Sequence, residues 1–248
     1  QWMITKGAFE EMLAVCDRVQ LNGDVLPLTP ERIRKLKQTN AAMSGQGMRM
    51  IVVAYRQDVH QQEIYTPSDE QHMVLAGFLG FLDPAKPDAK EAIGLLGAHG
   101  VRVKVLTGDN AIITQHVAEE VGIANQLVAT GNDVDAMDDS ALRQAVETTD
   151  LFVKLSPMQK ARIIKTMRAA GHTVGYMGDG INDTAALREA DVSISVDTAA
   201  DITKDASGII LLEKSLLVLE DGILEGRRVY ANAMKYIKMT IASNFGNA

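Results

Sequence analysis

The sequence holds a single cysteine, Cys16, so no internal disulfide can form, and a lone thiol fits a reducing compartment. A buried apolar role suits Cys16 better than catalysis. Basic residues are not in excess: 25 Lys and Arg face 32 Asp and Glu, a net charge of −7, which argues against a nucleic-acid partner. The five histidines show no metal-ligand spacing, so a zinc site is not supported. No signal peptide stands at the start, and no uninterrupted apolar run reaches the ~18–20 residues that span a bilayer, so the chain is expected to be soluble. A Gly-x-x-x-x-Gly-Lys-Ser/Thr loop is missing, Gly175, Gly178 and Gly180 do not complete a dinucleotide fingerprint, and no Gly-x-Ser-x-Gly elbow occurs. Repeats and low-complexity tracts are absent as well. What remains is a globular composition, 46% hydrophobic and 23% charged over 248 residues, enough for one large domain or two smaller ones.

Residues 1–82 read as α+β. A helix is expected from Lys6-Gly7-Ala8-Phe9-Glu10 through Cys16. Asn22-Gly23 between short apolar runs signals a hairpin. Thr29-Pro30-Glu31 reads as a cap, a proline at the first helical position and an acid in the first turn, with the helix running to about Ser44. Met48 to Tyr55 and His72 to Leu82 read as strands, and polar residues 56–70 between them as a mobile loop. Asp83-Pro84-Ala85-Lys86-Pro87 then stiffens the chain, and a hinge is placed there.

From Pro87 strands and helices alternate strictly, which means βαβ units and a parallel sheet. The expected strands are residues 101–106, 127–129, 151–155, 173–177 and 192–196. The expected helices reach His99, Val121, Glu147 and, from the cap Ser156-Pro157, Gly171. From about Glu213 onward one long helix or two joined ones are expected. Arg227, Arg228, Lys235 and Lys238 form either a solvated face or the cytoplasmic side of a membrane entrance.

The chain centres on Gly178-Asp179-Gly180-Ile181-Asn182-Asp183, between an apolar strand and the helix start Thr184-Ala185-Ala186-Leu187. Ligands in open α/β sheets bind beyond the carboxyl ends of strands, and hard carboxylates there suit Mg²⁺. Asp and Asn are also ordinary turn formers and caps. Two more constellations join them: Thr107-Gly108-Asp109 after a strand, and Lys160 one turn into a capped helix. Singly, Thr107 reads as a cap and Lys160 as a solvated side chain. Jointly, a hydroxyl, an ammonium, an amide and metal-binding carboxylates make a phosphoryl site, where catalysis is positioning and charge neutralisation.

These motifs, in this order and spacing, resemble the cytoplasmic part of P-type ATPases, within the haloacid dehalogenase-like superfamily. Lys6-Gly7-Ala8 with Glu10 is similar to the motif lining the ATP pocket, and Arg49 to an arginine on the nucleotide phosphates. Asp83-Pro84-Ala85-Lys86-Pro87 is similar to the hinge between nucleotide and phosphorylation domains, with Ala85 and Lys86 where proline and arginine are frequent. The resemblance implies that Asp179 and Asp183 serve the catalytic Mg²⁺, that Asp183 also orders the loop, and that Thr107, Lys160 and Asn182 contact the phosphoryl group. Thr107, Gly108 and Asp109 are implied at the nucleotide. It further implies that 1–82 is the C-terminal part of a nucleotide-binding domain. Residues 83–214 become an α/β phosphorylation domain with a doubly wound parallel sheet, and 215–248 a stalk helix leading into a transmembrane helix.

Ile209 to Leu216, Tyr236-Ile237-Lys238-Met239 and Ser243-Asn244-Phe245-Gly246-Asn247 resemble the bacterial magnesium-transporting branch. The family's phosphorylated aspartate lies in an Asp-Lys-Thr-Gly motif, which this sequence does not contain. The chain is therefore expected to be a fragment of a cation pump at the cytoplasmic face of the bacterial inner membrane. ATP, a divalent cation and the membrane are its expected partners, and the fragment alone is expected to be inactive. A soluble phosphatase of the same superfamily and a non-enzymatic nucleotide-binding module are the alternatives.

Overall fold

A computed structural model of the chain describes residues 2–57, 64–82, 84–123, 127–213 and 215–246. Asp83 of the expected hinge, residues 58–63 of the expected loop, Lys214, and Asn247 with Ala248 lie outside the described residues. Two compact units are found, Gln1–Pro84 with Gln115–Val117, and Ala85–Thr114 with Ala118–Ala248.

The first unit contains β1 (Trp2–Gly7), α1 (Phe9–Val15), β2 (Cys16–Leu21), β3 (Asp24–Pro27), α2 (Pro30–Ser44), β4 (Met48–Gln57) and β5 (Met73–Leu82). The strands form one sheet in the order β1-β4-β5-β2-β3. All pairs are antiparallel except β2 with β5. The hairpin forms as expected: Asn22 (φ 53°) and Gly23 (φ 96°) both adopt the left-handed conformation that a tight two-residue turn needs. Thr29 caps α2 by accepting a hydrogen bond from Arg32 N. Alternation on β4 buries Met50, Val52 and Ala54, and Val52 and Ala54 join a core of Phe9, Met12, Val19, Met73 and Leu75.

Two expectations change here. The strand β1 precedes the first helix, and Cys16 opens β2 instead of closing α1. Extended backbone at Cys16 (ψ 135°) lets its side chain enter the sheet core, whereas one more helical residue would not pair with Met73. Burial first, and the Asp17 charge second, push the Cys16 thiol up to about 11.

The second unit contains α3 (Ala89–Ala98), β6 (Val105–Leu106), α4 (Ala111–Val121), β7 (Val128–Thr130), α5 (Gly131–Ala136), α6 (Asp139–Thr148), β8 (Leu151–Val153) and α7 (Pro157–Ala169). It continues with β9 (Gly175–Met177), α8 (Thr184–Glu189), β10 (Val192–Val196), α9 (Asp201–Asp205), β11 (Ile209–Leu211) and α10 (Leu216–Gly246). Every strand pair is parallel, but the strands form two three-stranded sheets, β6-β8-β7 and β11-β10-β9, where one sheet was expected. Side chains bridge what the backbone does not. Leu106 packs against the cluster around Phe152 and Leu142 and also against that around Ile164 and Tyr176.

The six-residue strand expected at 101–106 shortens to two residues. Arg102 and Lys104 are drawn out of the ladder toward Asp150. Lys104 Nζ donates to Asp150 Oδ1 at 2.8 Å and to the Thr149 carbonyl at 2.5 Å, while Arg102 Nε lies 3.2 Å from the same carboxylate. Burial, only partly offset by Asp150, lowers the Lys104 pKa. At the other end of the unit, α10 is a single helix, about 46 Å long at 1.5 Å per residue over 31 residues. Its start is pinned to α3. Ser215 donates to Asp88 at 2.5 Å, His99 lies 3.0 Å from the buried Glu220, and Arg227 donates to the His99 carbonyl. No helix among the described residues is long and apolar enough to cross a membrane.

Candidate active site

The Gly178–Asp183 loop leaves β9 and enters a single 3-10 turn, Ile181–Asp183, before α8. Two bonds from β10 fix its start. Gly178 N donates to the Ile194 carbonyl at 3.1 Å, and the fully buried Ser195 donates its hydroxyl to the Gly178 carbonyl at 2.9 Å. Asp183 then folds back beneath the loop. Its Oδ2 accepts from Gly180 N at 3.2 Å, and its Oδ1 accepts from Tyr176 Oη at 2.7 Å and Lys160 Nζ at 2.8 Å. That return requires glycine at 178 through space, not through backbone angle: a Cβ there would sit 2.5 Å from Asp183 Cβ and 2.7 Å from its Cγ.

Electrostatics follow the geometry. Burial works to raise the Asp183 pKa, but the bonds from Lys160 and Tyr176, the Lys160 charge and the Gly180 amide outweigh it and hold the carboxyl below the usual range. Burial, then the hydrogen bond to Asp183 and its charge, push the Tyr176 phenol far up, so it stays a neutral donor. Lys160 is not a solvated side chain: it is 9% exposed and spends one N–H on Asp183. By contrast Asp179 and Asn182 are exposed.

Thr107, Gly108 and Asp109 follow β6. The Thr107 hydroxyl donates to Asp109 Oδ2 at 3.2 Å and accepts from Asp109 N at 3.1 Å, a local turn. This loop is stitched to the residues that lead into α7. Leu155 N donates to the Thr107 carbonyl at 3.0 Å and Lys154 N to the Asp109 carbonyl at 2.9 Å. Lys154 takes a left-handed φ of 51° there. Ser156 and Gln159 then close a capping box at the start of α7, one residue before Lys160. Helix α7 is thus tied to the Thr107–Asp109 loop at its start and to Asp183 through Lys160.

In the first unit Lys6 and Arg49 are exposed on the same face of the sheet. Lys6 lies opposite Val53 on β4, and Arg49 is four residues further along, about 13 Å at strand rise. Gly7 sits opposite Val52, and a Cβ on it would meet the flexible Met12 side chain at 3.1 Å and Glu11 Oε2 at 3.7 Å.

The residues fit Mg²⁺ in part. That ion takes one or two carboxylates and completes its shell with waters and substrate phosphates. Asp179 meets the requirement as an exposed hard donor. Asp183, the other expected ligand, is more engaged: Oδ1 accepts two donors, one of them cationic, and Oδ2 accepts a third, which leaves one acceptor position on Oδ2. These bonds tie the loop to Lys160 and Tyr176. Among the described residues no group of three or more His, Cys, Asp or Glu could hold a metal. Two contributors were not singled out from the sequence. Tyr176 was concealed in an apolar strand, and Ser195 carried only the weak signal of a serine at an inward strand position.

Similarity to known proteins extends along the chain. Residues 1–88 match the family model described as P-type ATPase, cytoplasmic domain N. The chain is 45% identical over 245 residues, 99% of its length, to a magnesium-transporting ATPase, P-type 1, of Escherichia coli, and equally to one of Salmonella typhimurium. It is 31% identical over 246 residues, 98% of its length, to a calcium-transporting ATPase of Listeria monocytogenes. The chain spans about a quarter of the length of these relatives, 27% and 28%.

Proposed function

We propose that this chain is part of a P-type ATPase that couples ATP hydrolysis to cation movement across the bacterial inner membrane, with magnesium as the transported ion. Similarity along almost the whole chain to magnesium-transporting ATPases supports the ion. The second unit would be the haloacid dehalogenase-like phosphorylation domain, and the first the C-terminal part of the nucleotide-binding domain. The observation that carries the site is the 2.8 Å bond from Lys160 to Asp183, which joins two motifs far apart in sequence.

In this reading Lys6, Gly7 and Arg49 bind the nucleotide. Lys160, Thr107 and Asn182 meet the oxygens of the transferred phosphoryl group. Lys160 supplies fixed positive charge where negative charge spreads in the transition state, which is the main source of rate in phosphoryl transfer. Asp183 does not react; it holds Lys160 and closes the loop. Asp109 keeps the Thr107 hydroxyl oriented. Asp179 would hold Mg²⁺, which when bound neutralises phosphate charge. The acceptor aspartate belongs to the full-length protein. Among the described residues β6 and β9 each pair on one side only, and we place the strand bearing that aspartate against those edges.

The distal part of α10 supports a membrane-directed stalk. Arg228, Lys235 and Lys238 are exposed there beside exposed Val229, Tyr236, Ile237, Met239 and Ile241, so among the described residues this part of the helix has no apolar partner. The test is acid-stable labelling of the full-length protein by ATP labelled on its terminal phosphate. Wild type should label, Asp179→Asn should lose ATP turnover, and the present chain alone should not label. Undiminished turnover in Asp179→Asn, or a labelled fragment, would contradict the proposal.

A further inference from the structure

We infer that Tyr176 is a positioning residue for phosphoryl transfer: its hydroxyl holds the Asp183 carboxylate, and through it the Lys160 ammonium, where the transferred group meets them. The inference rests on the phosphoryl-site reading above. Tyr176 is 9% exposed on β9, and its ring packs with Ile164, Val174, Ala186 and Leu187. Phenylalanine would fill that space equally well. Only the hydroxyl distinguishes tyrosine, and a buried hydroxyl needs an acceptor. It donates to Asp183 Oδ1 at 2.7 Å, the oxygen that Lys160 Nζ reaches at 2.8 Å.

A carboxylate oxygen offers about two acceptor positions. Tyr176 fills one of them on Oδ1 and Lys160 the other, with one N–H. The remaining donors of its ammonium stay available to phosphoryl oxygens. Gly180 N, at 3.2 Å from Oδ2, completes a three-donor lock on the carboxylate. Without the hydroxyl, one acceptor position on Oδ1 is left unfilled, and the carboxylate is less constrained about its Cβ–Cγ bond. A carboxylate free to turn lets the ammonium leave its fixed place. The loss falls on the transfer rate, which depends on prepositioned charge. Nucleotide affinity is spared, because Tyr176 lies beneath the loop rather than on its surface.

The test is a rapid-mixing experiment on the full-length protein with ATP labelled on its terminal phosphate and an acid quench. The amplitude counts competent molecules, and the rate constant at saturating ATP reports the transfer itself. Tyr176→Phe should leave the amplitude and the half-saturating ATP concentration within about twofold of wild type. It should lower the rate constant about tenfold, as expected for one hydrogen bond to a charged group. A merely structural role lowers the amplitude and leaves the rate constant alone, so a rate constant within about twofold of wild type overturns the inference. If Tyr176→Phe yields no label, Tyr176→Met is read by the same criteria, and absence of label in both assigns Tyr176 to packing and overturns it. Absence of label on wild type removes the phosphoryl-transfer reading and this inference together.

Discussion

Replacing Gly178 by alanine puts a methyl group where Asp183 already is. The new Cβ would lie 2.5 Å from Asp183 Cβ, 2.7 Å from Cγ and 2.9 Å from Oδ2, and none of these is the free end of a flexible side chain. The Asp183 side chain must therefore leave its seat, and its bonds to Lys160, Tyr176 and Gly180 go with it. Overpacking alone costs about 1–3 kcal/mol. Losing hydrogen bonds to a charged group adds to that, so about 3 kcal/mol is expected in all. For a unit of this size that is a fall in Tm of about 6–12 °C. Far-UV circular dichroism of the chain measures it. The single tryptophan, Trp2, belongs to the other unit, so its fluorescence transition serves as an internal control. Gly180→Ala is the matched comparison: its Cβ would stand 3.4 Å from Asp183 Oδ2, and its cost should stay below about 1 kcal/mol. A fall of less than about 2 °C for Gly178→Ala would refute the argument from close approach.

Further outcomes follow from other parts of the chain. Asp150→Ala strands Lys104, whose side chain is 7% exposed, so a loss of about 3 kcal/mol is expected in urea unfolding, and a loss under about 1 would contradict the ion-pair account. Cys16, buried with its pKa near 11, should react with a maleimide at pH 7.5 far more slowly in the native chain than in urea; equal rates would place it at the surface. The Asp183 pKa is lowered by folding, so its contribution to stability is present above the unfolded value of about 3.9 and is lost as pH falls through the folded one. The urea midpoint should therefore fall more steeply between about pH 5 and 2 in wild type than in Asp183→Asn, and parallel profiles would contradict the assignment.

Local chemistry was the legible part of the sequence. Thr29-Pro30 and Ser156-Pro157 mark helix starts because a hydroxyl cap and a proline act within one turn, and both caps form. Asn22-Gly23 fixes its hairpin for the same reason. Long-range terms decided the rest. Val101 to Leu106 alternates like a strand, yet Asp150, some 45 residues on, competes for Lys104 and shortens it. Helix α5 begins at a glycine, a poor helix former, although Thr130 and Asp133 offered a capping box that was there to be read. At the site, Lys160 and Asp183 could be named from their motifs. The second donor to the same carboxylate oxygen could not, because Tyr176 looks in sequence like one more apolar strand residue.

The central claim is that turns scattered along the second unit gather around one metal-bound phosphate. Paramagnetic Mn²⁺, titrated into the isotopically labelled chain in place of Mg²⁺ and followed by amide NMR, tests it most directly. The amides of Thr107 to Asp109 and of Gly178 to Asp183 should broaden together at the lowest Mn²⁺ concentrations, and Asp179→Asn should abolish the effect. Broadening that spares Thr107 to Asp109, or that survives in Asp179→Asn, would contradict the claim.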